Sequence, residues 1–340
     1  MRFRAFARAA ALAALTTSIV LTGTLGGTPA QAETNQLRIA QQFGIAFLPL
    51  IVAKEQQLIE TKAAAAGVPD LKVEWLRLSG AAAMNDALIS GGLDFATAGV
   101  APAILTWDKT RGKVDIVLIS SLGSMPNVLT TNNPNVKTIK DFTDTDRIAL
   151  PSVKVGFQPI VLQIAADKAF GQYDKLDHLT VSLPHPDATT AILSGTGGIT
   201  AHFTSPPFVQ QQLASDKVHA VLNSYDVLGG PHTFNVVYGT KKFATDNPKT
   251  VAAFVAALDE ANAWIKANPA EAAKLYIKAE NSKLDPALIE SIIRDPQINF
   301  TTVPERVDVF TEFEYRIGLI KQKPGWKELF QSGLHDRGGS

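Results

Sequence analysis

The stretch from Leu78 to Pro102 holds two strand-to-helix turns with almost no bulky polar side chain. Ser79 and Gly80 precede a run of alanines that favours a helix, which predicts Ser79 as its N-cap. The first amides of a helix have no internal acceptor and lie at the positive end of its dipole. An anion can therefore bind at Ser79, Gly80 and Ala81 if no large side chain blocks the turn.

The second turn follows a short apolar strand that ends at Gly99. Gly91 and Gly92 are predicted to end the preceding helix, because glycine tolerates positive φ at a helix C-terminus. We expect Gly99 and Val100, which open the next helix, to line the same site. Small residues in ordinary α/β turns would give the same pattern, so this interpretation depends on the rest of the chain.

The sequence lacks the common motifs of enzymes. The chain has no cysteine and six scattered histidines, and it contains neither a G-x-S-x-G elbow nor a phosphate-binding G-x-x-x-x-G-K-S/T loop. The absence of cysteine also excludes disulfides and thiolate metal sites. We therefore predict no catalytic residue, no metal and no cofactor.

The first 32 residues resemble an export signal. Three arginines precede an apolar run, and the segment ends in the small-x-small sequence Ala30-Gln31-Ala32. The apolar run is too short to span a bilayer. We expect a signal peptide that is cleaved after Ala32, and a mature protein in the periplasm.

Length and composition indicate a protein of two domains with substantial cores, since the chain has 340 residues and 46% hydrophobic content. Residues 1–32 hold three arginines and no acidic residue, so the remaining chain has a formal charge of −3. Nucleic acid is not an expected partner, because no excess of basic residues exists to neutralise phosphates. A small anion remains a possible ligand.

Strands and helices alternate twice along the chain, first from Leu37 to Ile119 and again after Asn127. This order predicts two α/β units, each a mainly parallel sheet flanked by helices. The first unit includes one helix over residues 46–59, and the second includes a helix over residues 157–170. Beyond Tyr238 the chain is predicted to be helical, with helix starts at Asn247-Pro248, Asn268-Pro269 and Asp285-Pro286.

Two segments, Ser124–Asn133 and Ser224–Gly239, lie at the ends of the second unit. Each holds an extended apolar run beside turn residues, which predicts two hinge strands joining two lobes. The predicted organisation is a signal peptide (1–32), a first lobe built from two parts (33–126 and 232–340), and a second lobe (127–231). Such lobes close on a ligand that is held between them.

Four segments resemble the solute-binding proteins of ATP-binding-cassette (ABC) importers, in the nitrate, sulfonate and taurine family. They are FLPLIVAKEQQLIE (Phe47–Glu60), SGAAAMNDALISGGLDFATAG (Ser79–Gly99), the IKDF element with DRIALP (Ile139–Pro151), and FVAALDEANAWIKANPAEA (Phe254–Ala272). The resemblance implies the two-lobed periplasmic binding protein fold of type II. It also implies a monomer that captures a small organic anion, such as a sulfonate, a taurine-like molecule or a carboxylate, and delivers it to a membrane permease.

The resemblance also implies which residues line the cleft. From the first lobe these are the residues after the first strand and those of the Ser-Gly-Ala turn, and from the second lobe the start of a helix. The expected residues are Gln42, Phe43, Gly44, Phe47, Ser79, Gly80, Ala81, Gly156, Phe157 and Gln158. The chain departs from the family pattern at GGITAHFTSPPF (Gly197–Phe208), which brings His202 and Phe203 into the expected site.

Several of these residues have a second interpretation. Phe43, Phe47 and Phe157 form either an apolar wall for the ligand or part of the core. Gln42 and Gln158 either donate hydrogen bonds to the ligand or are surface residues. His202 is either a donor to an anion or a structural residue, and His185 is predicted to be a turn residue.

Two other functions remain open from the sequence. One is an enzyme on the same fold, related to the thiamine-pyrimidine-precursor synthases. Those enzymes rely on a cysteine-rich segment that this chain lacks. The other is a receptor that is coupled to a signalling protein instead of a permease.

Overall fold

The computed structural model describes residues 33–340. The predicted signal peptide, with its cleavage site after Ala32, lies outside the described residues. The strands are β1 (Gln36–Gln41), β2 (Lys72–Arg77), β3 (Phe95–Gly99), β4 (Ile116–Ser121), β5 (Val128–Thr131), β6 (Ile148–Leu150), β7 (Thr180–Ser182), β8 (Ala201–Thr204), β9 (His219–Asn223) and β10 (Asn235–Thr240).

The helices of the first half are α1 (Leu48–Glu55), α2 (Leu58–Ala65), α3 (Gly80–Ile89), α4 (Val100–Thr110), α5 (Phe157–Phe170), α6 (His185–Ser194) and α7 (Phe208–Leu213). Those of the second half are α8 (Ser224–Leu228), α9 (Lys241–Asp246), α10 (Pro248–Ala267), α11 (Pro269–Ala279), α12 (Pro286–Ile293), α13 (Asp308–Arg316) and α14 (Trp326–Leu329).

The strands form two five-stranded sheets, which define two lobes. Lobe I has the order β2-β1-β3-β10-β4, and lobe II has the order β7-β6-β8-β5-β9. In lobe I, β10 is antiparallel to its neighbours β3 and β4, while β1 is parallel to β2 and β3. In lobe II, β5 is antiparallel to β8 and β9, while β6 is parallel to β7 and β8. Each lobe is thus a mainly parallel sheet with one antiparallel strand inserted.

The chain passes between the lobes twice, from β4 to β5 and from β9 through α8 to β10. The two crossings are hydrogen-bonded to each other: the Leu122 amide donates to the Asn235 carbonyl at 2.9 Å, and the Phe234 amide donates to the Gly123 carbonyl at 3.0 Å. Their strands, β5 and β10, belong to different sheets. The hinge is therefore formed by the two segments that connect the sheets, and these segments lie side by side.

One predicted helix is broken in the structure. Residues 46–59 form a short 3-10 turn (Ile45–Phe47), α1 and the start of α2. Gln57 has φ +52°, a left-handed conformation that no α-helix continues through. The break turns the chain so that Leu58 and Ile59 also reach the core.

The N-termini of the C-terminal helices are held in different ways. Asp285 caps α12, since its carboxylate accepts from the Ala287 amide at 2.9 Å. The side chain of Asn247 does not cap α10. Instead, the carboxylate of Glu33 accepts from the amides of Lys249 and Thr250 at 2.8 and 2.7 Å, so the first described residue fastens the chain to α10.

Candidate functional site

A cleft lies between the two lobes, at the turns that follow their strands. Its volume is about 30 Å³, which is room for water molecules and not for a larger solute. The structure therefore shows a closed cleft. Its lining is Gln42, Phe43, Phe47, Gly80, Ala81, Gly99, Pro102, Phe234 and Asn235 from lobe I, and Pro151, Ser152, Gly156, Phe157, Gln158, His185 and Ser205 from lobe II.

Gln42 follows β1 and holds the lobe I side of the cleft in place. Its side-chain nitrogen donates to the Thr97 carbonyl at 3.0 Å, and its side-chain oxygen accepts from the Gly80 amide at 3.0 Å. The Gly80 amide is thus already used inside the protein. This corrects the expectation that the Ser79-Gly80 turn offers that amide to an anion, since the nearby glutamine supplies the acceptor.

Gly80 allows lobe II to approach this turn closely. It has φ +79°, and a Cβ at this position would lie 2.5 Å from the Ser152 hydroxyl and 2.7 Å from the Pro151 carbonyl. Any larger residue would meet both the backbone strain and the contact. Gly99 has a similar role, because a Cβ there would overlap the Cβ of Phe157.

Phe157, the first residue of α5, reaches from lobe II into lobe I. Its ring packs against Phe234 at 4.7 Å and Phe310 at 5.5 Å between centroids, and it stacks on His232 at 5.8 Å. The side chain is 2% exposed. Phe157 therefore lines the cleft and also joins an aromatic cluster of lobe I, so both sequence interpretations describe part of its position.

Polar groups of lobe II face the same space. The side-chain nitrogen of Gln158 donates to the Asn127 side chain at 3.0 Å. His185, the first residue of α6, stacks on Phe208 with 5.4 Å between ring centroids. Burial lowers the pKa of His185 to about 3, so its imidazole is neutral at physiological pH.

Three more side chains bring polar groups to the cleft: Ser152, Ser205 and Asn235. No described residue forms a hydrogen bond with the side chains of Ser152, Ser205 or Asn235, or with Nε2 of His185. Hydroxyl, amide and imidazole groups can all donate to a solute. In the described chain, the residues that line the cleft include no Lys, Arg, Asp or Glu. The cleft is therefore suited to bind a polar solute through uncharged groups.

The structure brings nine of the fourteen predicted residues together in the lining: Gln42, Phe43, Phe47, Gly80, Ala81, Gly99, Gly156, Phe157 and Gln158. Gly44, Ser79, Val100, His202 and Phe203 are not among the residues that line the cleft. Gly44 contacts lobe II beside it, where the amide of Ile45 donates to the Pro206 carbonyl at 3.2 Å. Ser79 is the N-cap residue of α3, but its side chain forms no capping hydrogen bond.

Val100, His202 and Phe203 have no exposed surface. His202 lies one side chain behind the cleft, with its Nε2 at 2.8 Å from Nδ1 of His185. His185, predicted to be a turn residue, is the histidine that reaches the cleft. Sequence reasoning also missed Ser152, Ser205 and Asn235. Ser205 stands just after β8, a position that parallel sheets use for ligands, and that signal was present in the sequence.

Two features of the described chain bear on metal binding and membrane insertion. Residues 33–340 contain no group of three or more His, Cys, Asp or Glu side chains arranged to hold a metal ion. Within the same residues, no helix combines the length and apolar character that crossing a bilayer requires.

The sequence matches the model of the NMT1-like family over residues 30–278, which is more than half of the chain. The chain belongs to the NMT1-like family. The comparison with curated proteins gave no significant match.

Solved structures similar to this NMT1-like chain share the two-lobed periplasmic binding protein fold. The alkanesulfonate-binding protein SsuA from Xanthomonas axonopodis pv. citri, bound to MOPS, is 18% identical, with a TM-score of 0.69 over 88% of this chain and 99% of that one. The aliphatic sulphonate-binding protein SsuA from Escherichia coli is 20% identical, with a TM-score of 0.63 over 88% and 93%. The nitrate-binding protein NrtA from Synechocystis PCC 6803 is 17% identical, with a TM-score of 0.69 over 87% and 85%.

Proposed function

We propose that this protein is the periplasmic solute-binding component of an ABC importer. It captures a small organic anion, such as a sulfonate or carboxylate, between its lobes and delivers it unchanged to a membrane permease. The observation that carries the proposal is the cleft itself, where uncharged polar groups from both lobes meet beside apolar side chains. The family, and the sulfonate-binding and nitrate-binding titles of similar structures, support the same function.

The lining supports a solute with a polar end and an apolar part. Ser152, Ser205, His185 and Asn235 supply the polar contacts, and Phe43 and Phe47 supply apolar surface. Both walls come from one chain, so a single copy forms the whole binding unit. The lobes must separate to admit a solute, because the closed cleft holds only about 30 Å³.

Matched pairs of solutes test the ligand class. Methanesulfonate and acetate are each compared with a neutral analogue of similar shape, dimethyl sulfone and acetamide, by thermal shift and calorimetry. We expect at least one anion to raise the melting temperature. Binding should stabilise the folded protein by about 2.7 kcal/mol when the anion concentration is 100 times Kd. Larger alkanesulfonates and arylsulfonates extend the panel. Equal binding of the neutral analogues would refute an anion ligand, and a panel without any effect would refute the proposed capture of a small organic anion.

A serine pair tests the location. Ser205→Ala removes a hydroxyl from the cleft, and we expect it to weaken the binding of the active anion roughly 3- to 10-fold, as the loss of one hydrogen bond does. Ser291→Ala is the control, since Ser291 lies on the exposed face of α12 and bonds only to the Leu288 carbonyl.

Mass spectrometry of the anion after long incubation distinguishes transport from catalysis, because a receptor returns the anion unchanged.

A further inference from the structure

A line of buried side chains runs from helix α7, past strand β8 of lobe II, to the cleft. Gln212 on α7 lies with its side-chain nitrogen 2.6 Å from Nδ1 of His202, and Nε2 of His202 lies 2.8 Å from Nδ1 of His185. Gln212 and His202 have no exposed surface, and His185 lines the cleft. The three side chains therefore connect the interior of the lobe with the solute site.

The contacts of Gln212 fix which way its amide points. Its Oε1 lies 2.5 Å from the hydroxyl of Thr130, which is at the short end of the range for an O–H···O bond. In the reversed amide, the nitrogen would lie 2.5 Å from that hydroxyl and the oxygen 2.6 Å from Nδ1 of His202, and both distances are shorter than an N–H···O bond allows. The orientation with the oxygen toward Thr130 has only the 2.6 Å contact below the usual range. Its nitrogen then faces the hydroxyl of Thr189 at 2.9 Å and Nδ1 of His202. The amide nitrogen has two hydrogens, so it can donate to both.

This orientation determines the tautomers of both histidines. An amide nitrogen only donates, so Nδ1 of His202 must accept, and a neutral ring then carries its proton on Nε2. That Nε2–H donates to Nδ1 of His185, which leaves the proton of His185 on its own Nε2. Burial lowers the pKa of His185 to about 3, and burial together with His185 lowers the pKa of His202, so both rings are neutral.

We propose that Gln212 and His202 are positioning residues that fix the tautomer of His185, so that His185 offers an Nε2–H donor to an oxygen of the bound solute. This inference rests on the proposed function, because it concerns how the same cleft recognises an acceptor-bearing ligand. Phe208 stacks on the ring of His185 and holds its plane, and the Thr204 hydroxyl, 3.1 Å from Nδ1, adds a second contact on the inner side. A donor held in this way favours anions over solutes that only donate.

We call the line Gln212–His202–His185 the relay. Nitrogen NMR of the ligand-free protein tests its proton positions directly. Long-range ¹H–¹⁵N correlation spectra distinguish a protonated Nε2 from a protonated Nδ1, and a His185→Asn variant identifies the signals of His185. In the unmodified protein we expect both His185 and His202 to carry their proton on Nε2. A proton on Nδ1 of His185 would overturn the proposal without any variant.

A matched pair of variants separates the relay from a structural role. Gln212→Leu removes the donor to His202, and we expect a mixture of tautomers at both histidines. Thr189→Val removes another hydrogen bond of Gln212 in the same buried network, and we expect the tautomers to remain as in the unmodified protein. Equal changes in both variants, or unchanged tautomers in Gln212→Leu, would show that Gln212 only supports the fold.

Binding completes the test, with methanesulfonate as the first probe and the other anions of the panel after it. We expect Gln212→Leu to weaken anion binding roughly 3- to 10-fold and Thr189→Val to change it less than about twofold. Unchanged affinity in Gln212→Leu, with its tautomers mixed, would refute the role of His185 as donor. If no solute binds the unmodified protein while its tautomers are as expected, the proposed function fails and the assignment of the relay stands.

Discussion

At the scale of single residues, the cleft uses uncharged donors where a lysine or arginine would be the obvious partner for an anion. Closure of the lobes buries these groups, since the closed cleft holds only about 30 Å³. A lysine that is buried without its partner would be expensive under those conditions, since a buried unpaired charge costs several kcal/mol. Serine, asparagine and neutral histidine avoid that penalty, so the lobes can close over these donors without burying an unpaired charge.

Glu314 on α13 is a buried residue that the cleft does not use. Its side chain has no exposed surface, and among the described residues neither carboxylate oxygen has a hydrogen-bond partner. Burial, with a smaller contribution from Asp108, raises the pKa of Glu314 well above its usual value. Because the folded state holds this proton more tightly than the unfolded state, stability falls as pH rises above the unfolded pKa of about 4.5.

Replacing Glu314 by glutamine removes the ionisable group at nearly constant shape. We expect Glu314→Gln to raise the free energy of unfolding by about 1–3 kcal/mol at pH 8, and the gain to disappear below about pH 4.5, where both states are protonated. Urea unfolding at several pH values measures both effects. Glu312→Gln on the same helix is the control, because Glu312 is exposed and pairs only with Lys323 at 3.3 Å. A gain that is independent of pH would contradict the assignment of a protonated Glu314.

At the scale of elements, the cleft is assembled from the N-terminal ends of helices that follow parallel strands. The lining includes the first residue of each of α3, α5 and α6, namely Gly80, Phe157 and His185. The carboxyl ends of parallel strands meet at one edge of a sheet, so these helix starts converge without any long loop. Helix α7 has a different role, since it brings Gln212 behind the cleft.

The attachment of Glu33 to α10 gives a second prediction. Its carboxylate accepts from two backbone amides and from the Thr250 hydroxyl at 2.8 Å, as an N-cap residue would. We expect Glu33→Ala to lower the free energy of unfolding by about 1 kcal/mol, which is typical for the loss of an N-cap. Glu290→Ala, which removes an exposed pair with Arg294, should lower it by less than about 0.5 kcal/mol. Equal losses in urea unfolding would show that Glu33 does not act as a cap.

Local patterns predicted the elements better than the contacts between them. The bounds of α5, residues 157–170, agree with the prediction because the helix begins after Gly156 and ends at Gly171, whose φ is +69°. The break at Gln57 was missed, since nothing in the residue type requires a left-handed conformation there. The pairing of His185 with His202 was also missed, because it depends on how α6 lies against β8. The same holds for Gln42, whose acceptor for Gly80 comes from 38 residues away.

At the scale of the whole molecule, closure depends on two glycines of lobe I, where the lack of a side chain lets lobe II approach the backbone. Gly80 lies against Pro151 and Ser152, and Gly99 lies against Phe157, each pair joining lobe I to lobe II. The hinge segments are short and hydrogen-bonded to each other. The contacts at the two glycines are what allow the cleft to become as small as it is.

Gly99→Ala tests whether those contacts set the closed state. Gly99 has φ −57°, which alanine adopts freely, and the atoms nearest to the added methyl group belong to Phe157 across the cleft. We expect the lobes to stay further apart: with the active anion bound, the radius of gyration in solution X-ray scattering should be larger than that of the unmodified protein, while the free energy of unfolding changes by less than about 1 kcal/mol. Gly325→Ala is the control, since its methyl group has only Glu328 nearby, at 4.0 Å. If the lobes instead stay closed and absorb the methyl group as strain, the radius will not change and stability will fall by about 1–3 kcal/mol. That result would contradict the prediction and place the limit of closure in the hinge.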